Sequence, residues 1–173
     1  TFKYFSNAIK AASEMDCPQV LITPGWAFLS EDVNEAWSRS IDMVQKLCEV
    51  AKKNGISLTM ETLKPQESRI VNSKETMRKM LDKVSSDALN VTIDLGALSR
   101  SGETIQDYFD EFGSKITHVH FVDTTKDGKL THLCWGDGER NLVEDLTVFK
   151  NNGYDGYFTL EYSSGDYFEN PDF

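Results

Sequence analysis

The sequence predicts an α/β fold on parallel strands, a (β/α)8 TIM barrel of which about five strand–helix units are present. Strand and helix signals alternate strictly along the chain, which is the pattern of a parallel sheet. The strand candidates recur at intervals of roughly 25–40 residues, with no linker or low-complexity segment between them. The chain opens on a helix signal with no strand before it and closes just after a strand.

Residues 2–15 place Phe2, Phe5, Ile9 and Ala12 at helical spacing. An apolar run at 19–23, closed by Pro24-Gly25, reads as a buried strand. A second helix, 32–53, carries Val33, Trp37, Ile41, Val44, Leu47, Cys48 and Ala51 on one face and ends at Asn54-Gly55. The next strand is 56–61, and a Ser73 cap opens a helix over 73–84 whose inner side is Met77, Met80, Leu81 and Val84. The strand at 89–94 leads through Gly96 to a helix with Ile105, Tyr108, Phe109 and Phe112. After a strand at 116–122, a Gly-, Asp- and Lys-rich loop runs to about Arg140, longer than a plain βα turn and so a candidate functional loop. A helix near 142–151 leads through Asn152-Gly153 to a last strand at 157–161, and 163–173 reads as the start of another helix.

The expectation is one domain over 1–173, an incomplete barrel, since a closed one takes eight such units. The rival is an open, doubly wound sheet, for which 173 residues would suffice. Against it, neither GxGxxG nor GxxxxGK[ST] follows any strand. An opened barrel exposes two strand edges, so a fragment of this kind is expected to self-associate as a homo-oligomer or to aggregate.

At 39% hydrophobic and 27% charged, the chain can build a core. No apolar run approaches the roughly 18 residues a membrane helix needs, and no basic-then-apolar leader opens the chain, so no membrane partner is expected. A formal charge of −10 with scattered Lys and Arg repels phosphate backbones, which argues against nucleic acid. Cys17, Cys48 and Cys134 are odd in number and form no CxxC pair, fitting reduced thiols in a cytoplasmic protein.

Four consecutive strands end in a residue that can bind a divalent cation: Glu61 in TMETL, Asp94 in TIDLG, His120 in HVHFVD and Glu161 in TLEYS. In a parallel barrel the C-terminal strand ends converge on one mouth. Singly, each carboxylate could cap the next helix. Together, three carboxylates are costly to bury without a cation. Three oxygens and one imidazole suit Mn²⁺ first, with Mg²⁺ or Co²⁺ as alternatives, better than a tetrahedral zinc site. His118 lies on the same strand face as His120, one layer lower, where a hydrogen-bonded core imidazole is expected. Asp123 could orient a ligand or stabilise its loop. Trp26 and Trp135 could stack on a sugar or pack under a loop, and His132 and Arg140 are candidate substrate contacts.

At these residues the sequence resembles the xylose isomerase-like barrel superfamily, in its branch of sugar phosphate isomerases and ketose 3-epimerases. The resemblance runs over nearly the whole chain, through the strand ending in Glu61, IDLG, HVHFVD, the WGDG loop at 135–138 and GYFTLE. It implies that the strands present are four to eight, so that the chain is the C-terminal part of a barrel whose N-terminal three βα units are missing. It further implies that Glu61, Asp94, His120 and Glu161 hold the metal and that Glu61 and Glu161 are the catalytic proton-transfer pair. A cation on the carbonyl and its neighbouring hydroxyl would stabilise an enediolate while the two carboxylates exchange the proton. Members of the family often read D-x-x-H after the third strand present here, and this chain has Ala97 in place of that histidine. The expected function is therefore a metal-dependent isomerase or epimerase of a ketose or related sugar. The alternatives are a metal-dependent dehydratase on a cyclic polyol and a non-catalytic sugar-binding barrel, the latter disfavoured by retention of both glutamates.

Overall fold

The structure is a computed structural model that describes residues 1–162. The helix start expected at 163–173 lies outside them. The chain divides into two compact units, the first Thr1–Thr92 and the second from Ile93 onward, so the division falls inside the third strand. The strands follow one another in the sheet in chain order. A doubly wound sheet reverses that order at a switch point, whereas a barrel does not.

The first unit contains α1 (Phe2–Glu14), β1 (Gln19–Ile22), α2 (Val33–Lys53), β2 (Ser57–Glu61), α3 (Lys74–Val84) and the opening residues of β3 (Leu89–Asp94). β1 pairs in parallel with β2 from Gln19↔Ser57 to Ile22↔Met60, and β2 with β3 from Leu58↔Leu89 to Glu61↔Thr92. Asp32 caps α2 by accepting from the Asn34 amide, and Ser73 and Thr76 form a reciprocal capping box on α3. The expected inner faces are buried: Val44, Leu47, Cys48 and Ala51 on α2, and Met77, Met80, Leu81 and Val84 on α3. Only Ile22 of β1 is buried, where the apolar run suggested a fully buried strand. Among the described residues β1 pairs with β2 alone, and a strand with one neighbour lacks the cover that a second would give.

On β2 the period of two sets Leu58 and Met60 on one face and Thr59 and Glu61 on the other, and both faces are buried. The hydroxyls of Thr59 and Thr92 meet at 2.8 Å, which fixes the polar face shared with β3. Glu61 lies two residues further along β2 on that same face.

The second unit continues from the end of β3 into α4 (Leu95–Ser101), α5 (Ile105–Phe112), a 3-10 turn (Gly113–Lys115), β4 (Ile116–His120), α6 (Leu142–Asn151) and β5 (Phe158–Thr159). The sequence reading did not resolve α4. It starts directly on the last residue of β3, with Asp94 itself as N-cap, and stops at Gly102 with φ 73°. β4 ends at His120 rather than Val122, and β5 covers two residues rather than 157–161. The causes are linked, since β5 pairs with β4 only at Val119↔Phe158 and His120↔Thr159, and β4 ends with the second pair.

An aromatic cluster builds the core of this unit. Phe149 meets Phe109, Tyr154 and Phe158 at centroid distances of 5.6, 5.5 and 5.1 Å, and Phe121 meets Phe158 at 5.2 Å. The Tyr154 hydroxyl donates to the Tyr157 carbonyl at 2.9 Å. Burial, with a smaller push from Asp155, raises its pKa to about 12. An unfolded tyrosine titrates near ~10, so this contribution to stability is intact below pH ~10 and is lost as pH rises through the folded value. Alkaline unfolding followed by circular dichroism should show a shallower loss of stability in that window for Tyr154→Phe, and an identical slope would contradict the assignment.

Candidate metal centre

The ends of β3 and β4 and the segment after β5 bring Asp94, His120 and Glu161 together within the second unit. One ligand atom from each lies within 4.8 Å of the others. His120 Nδ1 is 2.8 Å from Glu161 Oε2 and 3.3 Å from Asp94 Oδ2. Asp94 and His120 are buried, at 1% and 6% exposure, while the Glu161 side chain is 50% exposed. The site therefore has a buried floor and one solvent-facing carboxylate.

Asp94 has two tasks. Its Oδ1 accepts the Ala97 amide at 2.6 Å and caps α4, whereas the buried Oδ2 has no well-aligned hydrogen bond. Burial pushes its carboxyl up. The imidazoles of His120 and His132 and the Ala97 amide outweigh that and bring the pKa down to about 2. An ionised carboxylate with an unsatisfied buried oxygen, facing an imidazole and a second carboxylate, is a donor set that fits a hard divalent cation.

His132, a candidate substrate contact, lies at the same edge. Its Nε2 is 3.6 Å from Asp94 Oδ2 and 3.8 Å from Glu161 Oε2, and its Nδ1 is 3.0 Å from the Thr131 hydroxyl. Gly96 permits this approach. A Cβ there would stand 2.4 Å from the Thr131 carbonyl and 3.0 Å from the His132 ring.

The other expected residues have the following surroundings. Arg140 is engaged by Asp145 at 2.8 and 3.0 Å and donates to the Ser99 hydroxyl at 3.0 Å, an arrangement that fastens the loop. Trp135 donates from Nε1 to the Phe121 carbonyl at 2.6 Å while the residue as a whole is 53% exposed, so its indole is held at the loop with part of its surface open to solvent. Trp26 belongs to the first unit, where it is 69% exposed beside a cavity of about 350 Å³ also lined by Phe5, Arg39 and Met43. Glu61 likewise lies in the first unit, buried at the C-terminal end of β2. His118, expected as a hydrogen-bonded core imidazole, is half-buried, and the hydrogen bond is not made through Nδ1. Its buried Nδ1 has no hydrogen-bond partner among the described residues, and its ring stands edge-on to His120 at 5.3 Å. Burial first, and His120 next, lower the His118 pKa, while Glu161 opposes them.

The main residue that sequence reasoning left ambiguous is Asp123. It is buried, and its carboxylate accepts the backbone amides of Thr124, Gly136 and Arg140. The WGDG glycines were the available signal, because Gly138 has no room for a Cβ beside Asp123.

Comparison with known proteins bears on this arrangement. Residues 1–172 match the family model described as "Xylose isomerase-like TIM barrel". Fructoselysine 3-epimerase from Shigella flexneri is 34% identical over 155 residues, which cover 89% of this chain and 55% of that protein. Inosose dehydratase from Clostridium perfringens is 24% identical over 153 residues, covering 79% of the chain and 50% of that protein. The crystal structure of a D-tagatose 3-epimerase-like protein superposes with a TM-score of 0.79 at 25% identity, covering 96% of this chain and 64% of that one. The chain thus spans about half the length of the curated relatives it matches.

Proposed function

Since the chain belongs to the xylose isomerase-like TIM barrel family, we propose that it carries the metal and proton-transfer centre of a ketose 3-epimerase. The observation that carries this reading is the meeting of Asp94, His120 and Glu161 around a buried, unsatisfied Asp94 oxygen. Glu61 completes the ligand set in this proposal. It is a buried carboxylate at a strand end, in register with Thr92, two residues before Asp94 on the neighbouring strand. A bound divalent cation, Mn²⁺ in our reading with Mg²⁺ or Co²⁺ as alternatives, would polarise the ketose carbonyl and its adjacent hydroxyl.

The chain's own residues then divide the work. Glu161, half exposed, takes the proton from the carbon beside the carbonyl on one face, and Glu61 returns one on the other. The His132 imidazole hydrogen-bonds a substrate oxygen at the edge it shares with Asp94 and Glu161. Trp26 offers an apolar face to the sugar. The three cysteines are thiols rather than disulfides, which supports a cytoplasmic setting. No helix among the described residues is long and apolar enough to cross a membrane.

The likeness to inosose dehydratase favours a second reading, the dehydration of a cyclic polyol by the same carboxylates. Both readings share proton removal beside a carbonyl and differ in product. Incubation with Mn²⁺ in heavy water, of fructoselysine or a simple ketose and in parallel of an inosose, should place one deuterium at C3 of the ketose and yield the C3 epimer. A product short of one water would select dehydration, and a substrate that takes up no deuterium would defeat both.

A further inference from the structure

Asp123 stands outside the proposed ligand set, yet three backbone amides converge on its buried carboxylate. Oδ1 accepts from Thr124 at 2.8 Å and Arg140 at 3.0 Å, and Oδ2 accepts from Gly136 at 3.0 Å. Amide bonds to an ionised acceptor are among the stronger hydrogen bonds a loop can make. The backbone of Asp123 also pairs with Leu133 in both directions at 3.0 Å. Gly138 lies so close that a Cβ there would be 2.3 Å from Asp123 Oδ1. The long loop after β4 is therefore tied to Asp123 at its start and at two points near its end through the carboxylate, and at Leu133 through the backbone. His132 immediately precedes Leu133, so this anchor fixes the backbone that carries the imidazole.

We infer that Asp123 is the positioning residue of the site, acting through the backbone of the 124–140 loop to hold His132 beside Asp94 and Glu161. The inference deepens the epimerase reading and rests on it for the role of His132. Asp123 touches no substrate in this account; it sets where the imidazole stands.

The test uses Asp123→Asn, Gly138→Ala, His132→Ala and the double variant Asp123→Asn/His132→Ala, with the Cε1–H resonances of the imidazoles as a readout independent of turnover. The sequence has three histidines, so these signals are separable. In Asp123→Asn the His132 signal should move and broaden while that of His118 stays. Exchange of the Leu133 and Arg140 amides should accelerate about tenfold or more. Deuterium exchange into the ketose should fall roughly 10–100-fold with Mn²⁺ affinity little changed. Adding His132→Ala should cost nothing further, because both changes remove one function. Gly138→Ala perturbs the same anchor by crowding and should shift the same signal, which keeps the test decisive if Asp123→Asn fails to fold. Losses that multiply in the double variant would overturn the inference. So would Mn²⁺ affinity that falls in step with turnover, or a His132 signal unmoved in either single variant. A wild-type protein that binds no Mn²⁺ and exchanges no deuterium would instead defeat the epimerase reading, and the resonances would still decide the anchor.

Discussion

Glu161→Gln is expected to lower deuterium exchange into the ketose by roughly 10²–10⁴-fold, the range spanned by losing a general acid–base group. Glutamine keeps the shape of the side chain but cannot accept the substrate proton. It also removes the charge that sits 2.8 Å from His120 Nδ1. Changes to groups that merely support a metal ligand cost about 10–100-fold in metal affinity, so loss of a ligand carboxylate should cost at least that. Exchange rate and Mn²⁺ affinity measured on the same preparation would check both halves. A variant within about threefold of wild type in turnover would remove Glu161 from the chemistry and leave the trio as a structural cluster. Because Glu161 is half exposed, its replacement should leave thermal stability nearly unchanged, which separates a chemical defect from unfolding.

The largest effect on stability should come from Phe149→Ala. Phe149 is 1% exposed and stands at the centre of the aromatic cluster. Truncating a buried phenylalanine costs about 3–5 kcal/mol, through lost burial together with the cavity left behind. Domains of ordinary stability have only about 5–15 kcal/mol in total. The same rings pack on Phe121 and Phe158, neighbours of the backbone that carries His120 and Glu161. Urea denaturation would measure the loss, and a change below about 1 kcal/mol would show that the cluster does not hold this unit together.

Much of this architecture was legible in the chain because its signals are local. Ser73 and Asn54-Gly55 mark helix ends by short-range capping, and the stripe Met77, Met80, Leu81, Val84 marks a buried helix face. Asp94, His120 and Glu161 were readable as site candidates because each stands at or just beyond the C-terminal end of a strand in an α/β alternation. The misses depend on contacts distant in sequence. α4 begins on the residue that ends β3, so Asp94 is at once strand end, helix cap and site residue, and no turn separates the two elements. The length of β5 is set by where its partner β4 stops, which the string around Phe158 does not contain. The orientation of Arg140 depends on Asp145 and Ser99, the latter 41 residues away. His132 reaches the site because a loop closes on Asp123, a tertiary event without a periodic signature.

The central claim is that the residues around Asp94 form one divalent-cation site, and a titration of metal-stripped protein with Mn²⁺, followed by the paramagnetic resonance of the free ion, tests it most directly. The expected result is a single tight site per chain, abolished or weakened about tenfold or more in Asp94→Asn. A folded chain that leaves all the added Mn²⁺ free, or that binds it equally well without the Asp94 carboxylate, would contradict the account.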